Sequence, residues 1–401
     1  MMRITFLLTQ DLESPSGLGR YAPLARELAG LGHAVTVLAL HPDFENLAPE
    51  RRAWQEGGLS VRYVAPMHVR KQGSRKTYYS PLALLGVIAR ATAGLLWEAL
   101  RQPADLVWIA KPHPMNGVAG VLARLRWGCR LFLDCDDDEA GSGNFQAAWQ
   151  RRVVARFEGW LPRRAERVTT NTLFTFENIL RAGTPRAKLC HLPNGVDAGR
   201  FQQPLPAAGA ELRARLGLEG REVILYVGSM ALSSHAVDLL LQAFGLLAEG
   251  RPAARLLLVG GGEDYEKLRG LAAAPGLAGR VLFSGRVSPE QVSAYYTLAR
   301  AAVDPVDDTP AARGRSPLKM FEAWIMGVPF VTAEVGERRF LAGDPPAALL
   351  TRPGDAAALA RALTAVLDDP ALADDLRRRG LARVRDFTWD RLARRVQEEL
   401  L

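Results

Sequence analysis

The feature that most constrains this chain is a strand-and-helix pattern that runs once, stops and starts again. In the first half, "RITFLL", "AVTVLAL", "DLVWIA", "CRLFLD" and "RVTTN" are short apolar runs. Segments such as 20–32 and 114–127 separate them and carry apolar residues at helical spacing. Alternating strands and helices imply a parallel sheet covered on both faces. After "LPNGVDAGRFQQPLPAAGA", a Pro-, Gly- and Ala-rich stretch, the pattern resumes with "EVILYVG", "ARLLLVGG", "RVLFSG", "AAVDP" and "VPFVTA". A chain of 401 residues also exceeds the size at which one core stops growing. The reading is α/β, with two doubly wound Rossmann-like domains over 1–197 and 198–385. "FTWDRLARRVQEELL" closes the chain as an amphipathic helix within 386–401. A cleft between two such domains would face the carboxyl ends of both sheets, where open α/β sheets bind ligands.

The formal charge of +8 is unevenly divided. Residues 1–197 hold 25 Lys and Arg against 18 Asp and Glu, whereas residues 198–401 hold 26 against 25. A basic first half suggests an anionic surface as partner. Nucleic acid is not expected, because the cations are not interleaved with exposed aromatics and no DNA- or RNA-reading motif is present. "HVRKQGSRKTYYSPLALLGVIARATAGLLWEAL" (68–100) sets four cations and two tyrosines before a largely apolar helix. A segment lying on an anionic membrane leaflet would read this way, and so would a core helix after a solvated basic loop. No apolar run reaches the roughly 18 residues that span a bilayer, and the N-terminus lacks a signal-peptide pattern. Cys129, Cys135 and Cys190 show no metal-type spacing and leave an odd count, as in a reducing compartment. The expected location is the cytoplasm, with the inner face of the membrane as a peripheral station.

Four strand-to-helix junctions are marked by glycine: "SPSGLGR" (14–20), "YVGSM" (226–230), "LVGGGED" (258–264) and "FSGRV" (283–287). Glycine lets backbone N–H groups approach a ligand, and a following helix start favours an anion; plain tight turns use the same residues. Gly260 and Gly262 are not followed by a glycine at Tyr265, so a nicotinamide-dependent dehydrogenase ranks low. In "SPLKMFEAW", Ser316 reads as an N-cap and Pro317 as the first helical residue. Lys319 and Glu322 then share a helix face, the lysine within reach of a phosphate and the carboxylate placed for ribose hydroxyls. The bland alternative is a solvated salt bridge between the two.

These segments resemble a known family over essentially the whole chain: "PSGLGRYAPLARELAGLGHAVTVLAL" (15–40), "HLPNGVDAGRF" (191–201), "ILYVGSM...AVDLLLQAF" (224–244), "LLLVGGGEDYEKL" (256–268), "RVLFSGRVSPEQVSAYYTLARAAVDP" (280–305) and "SPLKMFEAWIMGVPFVTA" (316–333). The resemblance is to retaining glycosyltransferases of the GT-B fold, in the GT4 group that includes envelope and exopolysaccharide enzymes. It implies that the second domain binds a nucleotide sugar, that the first binds a glycan or lipid-linked acceptor, and that the last helix, including Trp389, crosses back to the first domain. Glu322 matches the second glutamate of the family's E-x7-E motif, which contacts the ribose. Gly285, Arg286 and Val287 match the loop against the base, and Gly17 and Gly19 the glycine loop near the donor phosphates. Gly228, Arg315, Ser316, Pro317 and Leu318 fall in the same donor-site segments.

Three departures stand out. The motif's first glutamate falls at Gly314, and the Arg and Lys that neutralise the diphosphate fall at Ser229 and His235. Either Arg313, Arg315 and Lys319 supply the missing charge, or the chain is a silent GT-B binding protein; a GT-B nucleotide-sugar epimerase is a third reading. In the first domain, "LDCDDDEAGSG" offers Asp134, Asp136, Asp137, Asp138 and Glu139 at a strand end. One of these, Asp134 or Asp136 foremost, is expected to orient an acceptor or sugar hydroxyl. A divalent cation is the alternative there, but such enzymes rarely need one, so no metal or other cofactor is expected. His113 in "AKPHPMN", with Lys111 beside it, is a further candidate to touch the acceptor.

Overall fold

The structure, a computed structural model, describes residues 1–14, 16–72, 75–136, 139, 148–201 and 206–401. The chain divides into two compact units, Met1–Gly195 with Trp389–Leu401, and Val196–Thr388.

The first unit holds an eight-stranded sheet. Its strands are β1 (Arg3–Leu8), β2 (Ala34–His41), β3 (Ala53–Glu56), β4 (Leu59–Pro66), β7 (Leu106–Ala110), β8 (Arg130–Cys135), β9 (Arg167–Thr170) and β10 (Leu189–His191), while β5 (Val69–Gln72) and β6 (Arg75–Tyr78) form a separate hairpin. The order is β10-β9-β8-β7-β1-β2-β4-β3. All pairings are parallel except β3 on β4. Central strands such as Leu106–Ala110 are buried at every position, which is why they read as unbroken apolar runs.

Helices Pro81–Arg101, Pro114–Trp127 and Ala148–Arg164 contribute to the core on one face of this sheet. Helices Ala22–Gly30 and Trp389–Glu399 cover the other, where Trp389, Leu392, Ala393 and Val396 join Leu24, Leu28 and Phe6 in one core. The Trp389 indole N–H donates to the carbonyl of Gly19 at 2.9 Å, which fixes this last helix onto the glycine turn.

The second unit is a wholly parallel six-stranded sheet: β11 (Glu222–Val227), β12 (Ala254–Val259), β13 (Val281–Gly285), β14 (Ala299–Asp304), β15 (Phe330–Ala333) and β16 (Leu349–Thr351). Its order is β13-β12-β11-β14-β15-β16, so the chain reverses its winding direction between β11 and β14. Such a reversal is where doubly wound sheets open a crevice at their carboxyl ends.

Two expectations are corrected. The unit boundaries fall at Gly195 and Thr388 rather than at 197 and 385, because Val196 donates to the carbonyl of Phe387 and pairs with Thr388. One helix, over Leu82–Arg101, is long and apolar enough to cross a membrane by length and composition, since Arg90 and Glu98 interrupt it too sparsely to lower its overall character.

Candidate functional site

In the second unit the chemistry gathers at the carboxyl ends of β11, β12, β13 and β14. The turn after β11 meets the turn after β12 so closely that a side chain at Gly260 would lie 1.9 Å from the carbonyl oxygen of Gly228. Gly260 also has φ +139°, so only glycine fits there. Gly285, with φ +70°, ends β13; its carbonyl accepts from the N–H of Gly260 at 2.9 Å. The aliphatic stem of Arg286 lies against Gly261. Val287 packs on the unit's core. The predicted base loop and the two glycine turns therefore form one continuous rim.

At the centre of this edge stands Asp304, the last residue of β14. Its Oδ1 accepts from Lys319 Nζ at 2.7 Å and its Oδ2 from Arg338 at 2.6 Å. Burial opposes ionisation of this carboxylate, yet the two cations hold its pKa well below the usual range. Lys319 stands over the ring of Tyr226, 4.4 Å from its centroid, and the Tyr226 hydroxyl donates to the carbonyl of Ser229 at 2.6 Å. Burial lowers the Lys319 pKa against the pull of Asp304.

Lys319 and Glu322 do not pair with one another. Glu322 instead accepts from the Tyr296 hydroxyl at 3.1 Å, and burial raises its pKa against the opposing effect of Arg200. The helix begins one residue later than its letters suggest: it spans Leu318–Ile325 with Pro317 as N-cap, and Ser316 is buried ahead of it. Pro317 itself has extended backbone geometry, with ψ 101°, so it stands outside the helix and occupies the cap position expected for Ser316.

The departures acquire a local explanation. His235 bonds Ser234 Oγ through Nδ1 at 2.9 Å; burial, then Lys319 and Arg315, push its pKa well below the ordinary value. It is therefore neutral at pH 7 and does not replace a lysine as a fixed charge. Arg315 donates to the carbonyl of Ser234 at 2.6 Å, which holds the His235 turn against the helix start. Arg313 is bound at 2.6 and 2.8 Å by Asp308 and half exposed, so its charge is engaged away from Lys319. Arg338, which the letters did not single out, supplies the second buried cation. In "GERRFL" nothing separates it from its neighbour Arg339, which is exposed beside Glu334. Asp304, Tyr226 and Tyr296 were likewise missed, although an acid ending a strand just before a proline is a signal that sequence reasoning can use.

The first unit carries two buried charge clusters at its own carboxyl edge. Arg20 donates to both oxygens of Asp134, at 2.7 and 2.6 Å; Tyr21 adds a bond at 2.8 Å, and Thr169 another. The same guanidinium reaches the carbonyl of Leu192 and Oδ1 of Asn194, each at 3.0 Å, which explains the "LPNGVD" junction as an anchor for Arg20. Asp134 is thus a buried structural node, with Arg20, Tyr21 and Thr169 on its two oxygens. Gly17 is also structural, since a side chain there would sit 2.2 Å from the carbonyl of Asp11.

The second cluster is Lys111, His113, Asp136 and Glu139, all buried. Lys111 Nζ lies 2.5 Å from Glu139 and 3.1 Å from Asp136; His113 bridges Thr9 Oγ1 at 2.9 Å and Glu139 at 3.2 Å. Lys111 has φ +70°, a costly conformation for a residue with a side chain, of a kind that concentrates at functional sites. Burial opposes ionisation of Glu139, but Lys111 and His113 pull its pKa far down. Burial raises that of Asp136, against Lys111. Asp137 and Asp138 lie outside the described residues. Among the described residues no group of three His, Cys, Asp or Glu is arranged to hold a metal ion.

Residues 16–195 match the model of the glycosyl transferase 4-like domain, and residues 221–369 that of the glycosyl transferases group 1. A glycogen synthase of Mycobacterium tuberculosis is 30% identical, the match covering 94% of this chain and 89% of the relative. A D-inositol 3-phosphate glycosyltransferase of Acidothermus cellulolyticus is 27% identical over 95% of this chain and 86% of its own. Among solved structures, Anabaena HepE in complex with UDP-glucose aligns with a TM-score of 0.74 at 20% identity, covering 100% of this chain and 99% of that one, a likeness of fold.

Proposed function

The chain belongs to the group 1 glycosyltransferases of GT-B fold, and from that premise we propose that it moves a sugar, with retention of configuration, from a nucleotide-diphosphate donor to a glycan or lipid-linked acceptor. The observation that carries this reading is the Lys319–Asp304–Arg338 cluster at the first turn of the Leu318–Ile325 helix. Glycosyl transfer leaves a diphosphate whose growing negative charge must be met by fixed donors. Two buried cations, with Arg315 beside them, take the part that the family gives to the positions of Ser229 and His235. Glu322, three residues beyond Lys319, takes the ribose hydroxyls, and Arg286 flanks the base. In the first unit Lys111, His113, Asp136 and Glu139 hold the hydroxyls of acceptor or transferred sugar. We place the reaction in the cytoplasm and in the synthesis of envelope or extracellular polysaccharide, with no metal required. HepE bound to UDP-glucose supports a nucleotide sugar as donor.

A thermal-shift titration with UDP, GDP, ADP and dTDP, without and then with magnesium, tests the donor site. A nucleotide at about 100 times its dissociation constant stabilises by roughly 2.7 kcal/mol. Stabilisation by one of the four, reduced in Glu322→Ala, is the expected outcome. Binding without transfer or donor hydrolysis would favour the silent protein, and turnover without any acceptor the epimerase.

A further inference from the structure

Helix Pro81–Arg101 reverses the usual rule of burial. It turns Ala91, Leu95 and Ala99 to the sheet and leaves Leu82, Leu85 and Trp97 83, 51 and 64% exposed. Helix Pro114–Trp127 does the same, burying Ala119 and Ala123 while Leu125 is 74% exposed. Trp149 and Val153 are exposed on Ala148–Arg164. Among the described residues, seven of the fourteen exposed large apolar side chains lie on these three helices, which share one face of the first unit's sheet. Isolated exposed leucines are ordinary on soluble proteins, but a concentration of them marks a surface that is covered in use.

The charge on these helices is mostly of one sign. The three helices carry nine arginines against two glutamates, Glu98 and Glu158, and the sequence over 69–78 has four cations and no acid. Arginine lies over aromatic rings across this face: Arg70 on Tyr79, Arg101 on Trp97, Arg126 on Trp127 and Arg164 on Trp160. The indole of Trp127 also donates to the carbonyl of Ala99, which joins two of the helices into one rigid surface. Tryptophan and tyrosine with basic neighbours suit the headgroup level of a bilayer. The Pro81–Arg101 helix is long enough to span, but its inner residues are committed to the sheet, so it would lie on a bilayer and not across it.

We infer that this face, formed by helices Pro81–Arg101, Pro114–Trp127 and Ala148–Arg164, docks on the surface of a bilayer rich in anionic lipid. The inference does not depend on sugar transfer, and its test reads no activity. The full chain is sedimented with vesicles of phosphatidylcholine, and with vesicles that also contain phosphatidylglycerol. Wild type is expected in the pellet only with phosphatidylglycerol, and less at high salt. Leu85→Asp with Trp97→Asp should leave it in the supernatant with an unchanged melting temperature, since both side chains are exposed. Arg124→Gln with Arg126→Gln should lower the partition coefficient about ten- to thirtyfold. Failure of wild type to pellet with phosphatidylglycerol, or equal pelleting of the Leu85→Asp, Trp97→Asp variant, would overturn the proposal. So would a wild-type dimer that the same variant splits while no vesicle is bound, because the face would then belong to a second copy.

Discussion

At the carboxyl edge of the first sheet three carboxylates, Asp134, Asp136 and Glu139, share two cations, Arg20 and Lys111. At the same edge of the second sheet one carboxylate, Asp304, is shared by two cations, Lys319 and Arg338. Two sheets of the same construction thus present opposite excess charge at equivalent places. An edge with spare positive charge suits a diphosphate, whereas one with spare carboxylate suits hydroxyl groups or a sugar carbon that turns cationic. The clusters differ in a second way. Asp134 is closed on itself by Arg20, Tyr21 and Thr169, whereas Lys319 retains 12% side-chain exposure and keeps a path to a ligand.

The strongest way to break the comparison is to remove the carboxylate at each centre. Asp304→Asn would strand Lys319 and Arg338 without a counter-charge and should cost about 3–5 kcal/mol in urea unfolding. Because the folded pKa of Asp304 is depressed, its contribution is present above the unfolded carboxylate range and lost as pH falls through the folded value. The variant's stability should therefore fall less than wild type's on acidification. Asp134→Asn should cost a similar amount through Arg20 while leaving nucleotide affinity unchanged; a matching loss of affinity would erase the distinction between node and site.

Glu322→Ala should weaken nucleotide binding by about 1.5–3 kcal/mol in calorimetry, the range for hydrogen bonds to a charged group. Unaltered affinity in the folded variant would remove its ribose role. Lys319→Gln should weaken nucleoside diphosphates well beyond nucleosides, and equal losses for both would argue against a phosphate contact.

The smallest effect concerns His235. It is neutral in the empty site, and a bound diphosphate would raise its pKa, so binding takes up a proton. Affinity should decline with rising pH by at most about tenfold per unit. Calorimetry in buffers of different ionisation enthalpy measures that uptake, which should shrink in His235→Gln; identical uptake in both proteins would place the proton on the nucleotide alone.

The sheets were legible because parallel strands buried on both faces leave apolar runs, as in "DLVWIA" and "EVILYVG". Strand β4, "LSVRYVAP", escaped because its side chains alternate between buried and half-buried, so Ser60 and Arg62 break the run. Lys319 and Glu322 were legible because a proline before an amphipathic segment marks a helix start. Arg338 was not, since burial on Asp304 depends on strand order and leaves no local trace. Asp134 and Asp136 show the same limit. Two aspartates apart by one residue look equivalent in letters, yet one binds Arg20 and the other Lys111.

The helix Trp389–Glu399 completes the core of the first unit although it follows the whole of the second unit in the sequence. During synthesis the second unit, contiguous from Val196 to Thr388, has all its residues before the first does. The half that emerges earliest must wait with Leu24, Leu28 and Phe6 uncovered until Trp389 and Leu392 arrive. A gene fragment ending at Gly195 would carry that open face permanently, so dissection of this protein succeeds from the inside: the middle can be cut out whole, and the remainder needs Gly195 joined to Trp389.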